Sequence, residues 1–314
     1  MRRMKANRVI AAFMAAAILL AGCGKSDLNE LQKDGGTEKI TRVSVILPHQ
    51  DDGYWSQISA GIDSRMADAE NAGIDIRSYL PQINYSIPQM TDILKQQIAA
   101  RTDVIVVQGN EDTEFVQQLL RAQEAGIRII CMDTDLESLP EHIYIGTDNY
   151  EAGKTLGEKL LELVGDEELS ATVISGQKGY PNMDSRLKGL EDSFESTGAV
   201  VIQDILYDDY DALTFMDQYQ SCTSDIVVCI EGTGAQTLAR MRDSHDDRFR
   251  FIVGFDMTDA LKDNVMDGIL TQDTFGMGAT IVDELIRYRQ TGSYSAQTIN
   301  TAVEWHTEYV EDKE

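Results

Sequence analysis

Polar and acidic side chains follow several short apolar runs of this sequence, at the point where each run ends. These residues are Asp51, Asp52, Gln108, Asp133, Glu231, Asp256 and Gln272. Carboxylates and amides make strong hydrogen bonds with hydroxyl groups, and aromatic faces pack on apolar C–H surfaces. Tyr54 and Trp55 stand just after the first two acids. Together these residue types suit a neutral polyhydroxylated ligand, although helix capping alone explains any single aspartate equally well.

The elements that must position these residues alternate regularly from residue 40 onward. Predicted strands cover 42–47, 74–80, 104–108, 128–132, 143–146, 171–175, 200–207, 225–230, 251–255 and 269–272. Predicted helices cover 54–72, 88–100, 114–125, 151–164, 185–196, 235–242 and 278–289. This alternation predicts an α/β fold with parallel sheets covered by helices on both faces. Because ten strands are many for one open sheet, we expect two doubly wound lobes, with the ligand beyond the carboxyl ends of the strands.

Motifs for catalysis or cofactor binding are incomplete. The segment 146–155 ends like a phosphate-binding loop, but Asp148 stands where that motif requires glycine. Gly232-Thr233-Gly234 lacks the third glycine of a dinucleotide fingerprint. The four histidines show no metal-ligand spacing. We therefore expect no enzyme activity, no cofactor and no catalytic metal.

The first residues have the composition of an export signal. Basic residues lead into the apolar run 9–20, which is too short for a transmembrane helix. The sequence Leu20-Ala21-Gly22-Cys23 resembles the lipobox of bacterial lipoproteins. That resemblance implies a signal peptide at 1–23, a lipidated Cys23 and a tether at 24–39, with the protein anchored to the cell membrane on its extracytoplasmic side. An ordinary cleaved signal with an incidental cysteine is the alternative.

Charge and cysteine content narrow the possible partners. The chain has 53 acidic and 27 basic residues, for a net charge of −26, and removal of the basic leader makes the remainder still more acidic. Such a surface repels phosphate backbones, so nucleic acid is not expected as a partner. Cys131, Cys222 and Cys229 do not form a disulfide framework. We expect Cys131 and Cys229 to be buried thiols.

Five longer motifs resemble one family from residue 40 to the end. They are VSVILP before the aromatic pair, IGTDNYEAGKTLGEKL, SRLKGLEDSF, IVGFDMTDAL and QDTFGMGA. In these the chain resembles the ribose-type family of type I periplasmic sugar-binding proteins, the substrate receptors of ABC transporters. The resemblance implies an N-lobe of 40–146 plus 273–299 and a C-lobe of 147–272 plus 300–314, joined by three hinge crossings. It implies closure on a sugar and delivery to a permease, or else signalling through a membrane histidine kinase.

The resemblance also assigns ligand positions. They are Asp52, Tyr54, Trp55, Gln108, Asp133, Arg186, Tyr210, Glu231, Asp256 and Gln272. Alternatives stay open: the aromatic pair could staple the first helix, Arg186 could be a surface cation, and Tyr210 could belong to the core. The family often has arginine where Thr134 stands, and asparagine or aspartate where Glu231 stands. These departures make the expected pocket more negative and favour an amino sugar or another cationic polyol.

Overall fold

The computed structural model describes residues 40–49, 53–256 and 258–309. The predicted signal peptide 1–23 with its lipidated Cys23, the tether 24–39 and the predicted ligand residue Asp52 lie outside these ranges. The strands of the described residues are β1 (Thr41–Ile46), β2 (Ile74–Tyr79), β3 (Val104–Gln108), β4 (Arg128–Met132), β5 (Ile143–Thr147), β6 (Leu169–Ser175), β7 (Val200–Tyr207), β8 (Ile226–Cys229), β9 (Phe251–Phe255), β10 (Gly268–Gln272), β11 (Thr298–Thr301) and β12 (Val303–His306). The ten predicted strands are all present, whereas β11 and β12 were not predicted.

The helices follow the prediction with shifted ends. They are α1 (Gly53–Ser64), α2 (Met66–Asn71), α3 (Ile87–Ala99), α4 (Thr113–Glu124), α5 (Asn149–Val164), α6 (Pro181–Glu195), α7 (Ala212–Ser221), α8 (Gly232–Met241) and α9 (Thr274–Thr291), with a short 3-10 helix at Thr258–Leu261. The single helix predicted over 54–72 is divided at Arg65. Helix α7 was not predicted, because its buried residues, Phe215 and Tyr219, make only a sparse apolar stripe.

Two sheets confirm the predicted α/β fold of two parallel-sheet lobes. The strand orders are β11-β5-β4-β3-β1-β2 and β12-β10-β9-β8-β6-β7. The pairings are parallel, apart from the antiparallel pairing of β10 with β12 at the edge of the second sheet. Within the described residues the chain passes between the sheets three times: from β5 to α5, from β10 to α9, and from β11 to β12.

Each sheet is covered by apolar side chains on both faces. In β3, Val104 and Val106 belong to the core layer that also contains residues of α1 and α9. Ile105 and Val107 point to the opposite layer, which contains residues of α3 and α4. Because successive side chains of a strand alternate between faces, a strand buried on both sides is apolar at every position. This is why residues 104–107 of β3 form an uninterrupted apolar run.

Glycines allow α5 and α6 to pack with their backbones in close contact. A Cβ atom on Gly153 would lie 1.8 Å from the carbonyl oxygen of Arg186, and one on Gly189 would lie 2.0 Å from that of Tyr150. Real Cβ atoms do not approach backbone so closely, so both positions need glycine. The contact at Gly153 fixes the distance between α5 and the segment of α6 that carries Arg186.

We expect Gly153→Ala to destabilise the protein by about 1–3 kcal/mol, the usual cost of overpacking. Alanine alone would favour the helix by about 1 kcal/mol, so a loss of stability isolates the clash with α6. Urea unfolding measures the free energy. Glu158→Ala, on an exposed position of α5, is the control and should stay within about 0.5 kcal/mol of the wild type. Equal effects of the two substitutions would contradict the packing argument.

Candidate functional site

The carboxyl ends of the two sheets meet across a cleft that is bridged by polar contacts. Tyr54 Oη, at the start of α1, lies 3.4 Å from Gln272 Oε1 at the end of β10. Asn110 Nδ2 donates to Tyr180 Oη at 3.3 Å. Asn182 Nδ2 donates to Thr134 Oγ1 at 3.4 Å. In each pair one residue belongs to the first lobe and the other to the second, so the cleft is formed jointly.

Asp133 is the hydrogen-bonding centre of the first lobe. Its Oδ1 accepts from Tyr54 Oη at 2.5 Å. Its Oδ2 accepts from Gln108 Nε2 at 2.9 Å and from Thr134 Oγ1 at 2.8 Å. The side chain is buried, and a buried carboxylate needs such donors. The structure thus brings together three of the predicted site residues: Tyr54, Gln108 and Asp133.

Asp256 holds the corresponding place in the second lobe. Gln272 Nε2 donates to both of its carboxylate oxygens, at 3.0 and 3.1 Å. Burial raises the pKa of Asp256 to about 6, although the nearby Arg186 opposes this shift. Burial, together with the charges of Asp133 and Asp256, raises the pKa of Tyr54 well above its usual value, so its hydroxyl remains a donor.

The two aspartates share an unusual backbone conformation. Asp133 has φ of 64° and Asp256 has φ of 68°, in the left-handed region that aspartate tolerates better than most residues. The N–H of Asp133 donates to the carbonyl of Ile145 at 3.0 Å, and that of Asp256 donates to the carbonyl of Leu270 at 3.0 Å. In both lobes the residue after the strand turns while still bonded to the neighbouring strand.

Arg186 is a buried cation rather than a surface residue, at 2% exposure. Its Nε and Nη2 donate to Asn149 Oδ1, at 3.2 and 2.6 Å. Its Nη1 donates to the carbonyl of Ile230 at 2.7 Å, and the guanidinium lies 4.0 Å from the centre of the Phe255 ring. The alternative of a surface helix cation is wrong. The guanidinium is fixed in orientation, with two of its five N–H groups unused by described residues.

The adjacent aromatic residues lie in different environments. Trp55 is 3% exposed and packs in the hydrophobic core of the first lobe, where its Nε1 donates to Tyr85 Oη at 2.9 Å. The Tyr54 ring stands edge-on to it, with ring centres 5.5 Å apart. The alternative in which an aromatic residue staples the first helix to the core therefore describes Trp55. Stacking of its ring on a ligand stays a prediction.

Tyr210 lies at the rim of the second lobe. Its side chain is 44% exposed, so the alternative of a core residue is wrong. Its ring covers Gly176, where an added Cβ would lie 2.1 Å from Tyr210 Cε1. The Tyr180 ring stands edge-on to it, with centres 6.3 Å apart. Tyr180 was not predicted, although its position just before the helix of Arg186 could have indicated it.

Glu231 caps α8 and lies beside a second acid that the sequence did not indicate. Its Oε2 accepts from the Thr233 N–H at 2.6 Å and its Oε1 from the Gly234 N–H at 3.2 Å. Asp208, just after β7, is fully buried next to it. Burial and the Glu231 carboxylate raise the pKa of Asp208 to about 9. Asp208 and Glu231 are called the acid pair below.

Two cavities lie where the lobes meet. One, of about 380 Å³, is lined by three of the predicted site residues, Tyr54, Asp256 and Gln272, among others. The other, of about 230 Å³, is lined by residues 109–112, 134 and 135 of the first lobe and by Gln177, Gly179, Tyr180 and Pro181 of the second. Trp55 lines neither of them. Polar side chains of both lobes line each cavity.

Among the described residues, the side chains of Cys131, Asp135 and His142 lie close enough together to hold a metal ion. His142 Nε2 lies 2.6 Å from Asp135 Oδ1, and its Nδ1 lies 2.6 Å from the carbonyl of Leu139. The hydrogen bond with Asp135 raises the pKa of His142. An imidazolium that donates from both nitrogens explains these contacts, and it has no lone pair for a metal.

Comparison with known proteins gives the family. The periplasmic binding protein domain matches residues 43–292. A solute-binding protein of an ABC transporter from Burkholderia graminis, in complex with D-arabinose, superposes with a TM-score of 0.75 at 22% identity, over 86% of this chain and 96% of that one. GanP, a glucose-galactose binding protein from Geobacillus stearothermophilus, gives 0.75 at 21% identity, over 86% and 98%. The XylFII–LytSN complex gives 0.70 at 20% identity, over 84% and 97%.

No curated protein sequence matches this chain. Among the helices that the structure describes, none has the length and apolar character needed to cross a membrane. The domain match covers most of the chain, and the two-lobed fold agrees with it. The chain therefore belongs to the periplasmic binding protein family.

Proposed function

We propose that this protein is an extracytoplasmic solute receptor that binds a small carbohydrate between its lobes and delivers it to the permease of an ABC transporter. The observation that carries the proposal is the set of contacts from Tyr54 to Asp133 and Gln272, and from Gln272 to Asp256. This set joins the buried carboxylate of Asp133 and the half-buried carboxylate of Asp256, one from each lobe, at one place. Similar structures that bind D-arabinose or glucose and galactose support a sugar as the ligand.

The proposed ligand residues have complementary roles. Asp133 and Asp256 accept hydrogen bonds from sugar hydroxyls, and Gln108 and Gln272 can donate or accept. The two unused N–H groups of Arg186 donate to ring or hydroxyl oxygens. Tyr54 and Tyr210 offer aromatic faces, and Trp55 supports Tyr54 from the core. Glu231, together with Asp52 outside the described residues, completes the proposed set.

Closure of the lobes couples binding to recognition by the partner. We propose lobes of 40–146 plus 273–299 and of 147–272 plus 300–314, which move about the three crossings. Donors and acceptors from both lobes reach one ligand only when the cleft is closed, so the ligand selects the closed state. A permease would then recognise a surface formed by both lobes. We further propose that a lipid on Cys23 keeps the receptor at the membrane.

Sugar sensing is the second candidate function. The similar structure of XylFII in complex with LytSN favours it, because there a protein of this fold is bound to a second protein. A membrane histidine kinase would detect the same closure. Deletion of the gene separates the two functions: loss of sugar uptake indicates delivery to a transporter, whereas intact uptake with loss of a sugar-induced response indicates sensing.

A thermal-shift screen of the purified protein tests the sugar proposal. The panel contains pentoses, hexoses, inositols, amino sugars and nucleosides. A ligand at one hundred times its Kd stabilises the protein by about 2.7 kcal/mol, which raises the melting temperature visibly. Asp256→Asn should then weaken the best ligand about tenfold or more, since a hydrogen bond to a charged group contributes about 1.5–3 kcal/mol. Asp217→Asn, exposed on α7, is the control. A panel without any stabilising sugar would contradict the proposal.

We expect substitutions of the two aromatic residues to affect different properties: ligand binding for Tyr54 and stability for Trp55. Tyr54 lines a cleft cavity and Trp55 packs in the core. We expect Trp55→Ala to lower the free energy of unfolding by about 3–5 kcal/mol, the usual cost of truncating a buried aromatic side chain. Tyr54→Leu should instead weaken sugar binding at a smaller cost in stability. Urea unfolding and calorimetric titration measure the two effects. A Trp55 variant of normal stability that loses the sugar would place its ring in the site.

A further inference from the structure

We propose that the ligand of this cleft carries a protonated amine, and that the acid pair of Asp208 and Glu231 receives it. The inference rests on the proposed function and specifies its substrate class: an amino sugar or another polyol with a single ammonium group. One pair of side chains thus holds the ligand's charge, and binding has a defined proton balance.

The acid pair has a hydrogen-bonding deficit that a donor would fill. Asp208 Oδ1 accepts from the Tyr210 N–H at 2.9 Å. Its Oδ2 is fully buried and accepts from no N–H or O–H group of the described residues, so its interaction with the Glu231 carboxylate requires a proton on one of the two acids. Glu231 is 5% exposed, and each of its oxygens already accepts a backbone N–H. Capping of α8 therefore accounts for Glu231, but it leaves the burial of Asp208 unexplained.

The pair lies beyond the carboxyl ends of β7 and β8, at the edge of the second sheet that faces the first lobe. Tyr210, two residues after Asp208, stands edge-on to Tyr180, which lines the smaller cavity of the cleft. The titratable groups that face the pair are the Cys229 thiol from β8 and the Tyr210 ring. Tyr210 is exposed at the rim.

Charge balance in the cleft favours a cation. Asp133, Asp208, Glu231 and Asp256 contribute four carboxyl groups, and Arg186 is the cation that the described residues place among them. The Arg186 guanidinium donates three of its N–H groups to Asn149 and the Ile230 carbonyl and lies over the Phe255 ring, so it offers one positive charge to four acids. Without a cation nearby, Asp208 keeps its proton at neutral pH. A hydroxyl group of a neutral sugar would not remove the repulsion between two carboxylates.

Binding is then an exchange of an ammonium group for a proton. In the empty site the pair holds one proton and one negative charge. The ammonium group enters, the O–H bond of Asp208 ionises, and the proton leaves to solvent. Two carboxylates and one ammonium group again have one negative charge in total, so the occupied site has the same charge as the empty one.

Matched sugars test the inference. D-glucosamine, D-galactosamine and D-mannosamine are titrated calorimetrically at neutral pH beside D-glucose, D-galactose and D-mannose. We expect at least one amine to bind about tenfold or more tightly than its parent, which is about 1.4 kcal/mol. Titration in two buffers of different ionisation enthalpy should show release of about one proton per amine bound and none for the neutral parent.

Substitutions of Asp208 and Glu231 test whether this pair causes the preference for the amine. Asp208→Asn and Glu231→Gln should each abolish the preference for the amine, and Asp208→Asn should also abolish the proton release. The exposed neighbour Asp209, as Asp209→Asn, is the matched control. A neutral parent that binds as tightly as its amine without proton release overturns the inference and leaves the proposed function standing. Binding of neither series contradicts the proposed carbohydrate specificity, and the inference with it.

A measurement without ligand tests the pair independently. Since the pKa of Asp208 is raised in the folded state, the folded protein holds a proton that the unfolded chain releases. This stabilisation is present at low pH and is lost as the pH rises toward about 9. The melting temperature should therefore fall between about pH 7 and pH 9, and less steeply in Asp208→Asn than in Asp209→Asn. Equal slopes would overturn the shared proton on which the inference depends.

Discussion

Removal of carboxylates from water is the constraint on which the cleft depends. A buried carboxylate is costly unless hydrogen-bond donors or a positive charge replace its hydration. Asp133 receives its donors from Tyr54, Gln108 and Thr134, which lie on α1, at the end of β3 and next in the chain. Asp256 receives the amide of Gln272. Each carboxylate is thus satisfied by donors of its own lobe, and for Asp133 these donors come from separate elements that only the assembled lobe brings together.

The backbone at these aspartates shows how the fold directs them. Each is the first residue after a central strand and adopts a left-handed conformation, which is costly for most residues. Each N–H nevertheless continues the pairing with the neighbouring strand. The chain therefore turns at the edge of the sheet without leaving a buried N–H unpaired. Because the same arrangement occurs in both lobes, the two carboxylates come to the same cleft from opposite sides.

Four acids in one cleft are accommodated by four different means. Asp133 is surrounded by donors, and Glu231 faces the positive end of α8. Asp256 lies near the positive charge of Arg186, which opposes the effect of burial and leaves the pKa of Asp256 at about 6. Asp208 retains a proton. The close backbone contact at Gly153 supports this balance, because it holds the segment of α6 that carries the Arg186 cation. The affinity of the cleft for charge is thus set by helix packing as well as by the acids.

The regular alternation of apolar runs was enough to predict ten strands, most of the helices and the polar residues at the strand ends. These features are local, because a strand buried on both faces must be apolar at each position. The edge strand β11 was not predicted, because its four residues are mostly polar and partly exposed. Its place in the sheet is set by pairing with β5, far away in the sequence.

Side-chain environments were decided by tertiary structure. The sequence left open whether each ring of the pair Tyr54 and Trp55 faces the core or the ligand, because the answer depends on the rotation of α1 against the sheet and α9. Asp208 gave no sign in the sequence, since its raised pKa requires Glu231 from another strand. Periodicity is encoded within a few residues and can be read locally. Burial and charge depend on neighbours that are distant in the chain, and only the assembled fold brings those together.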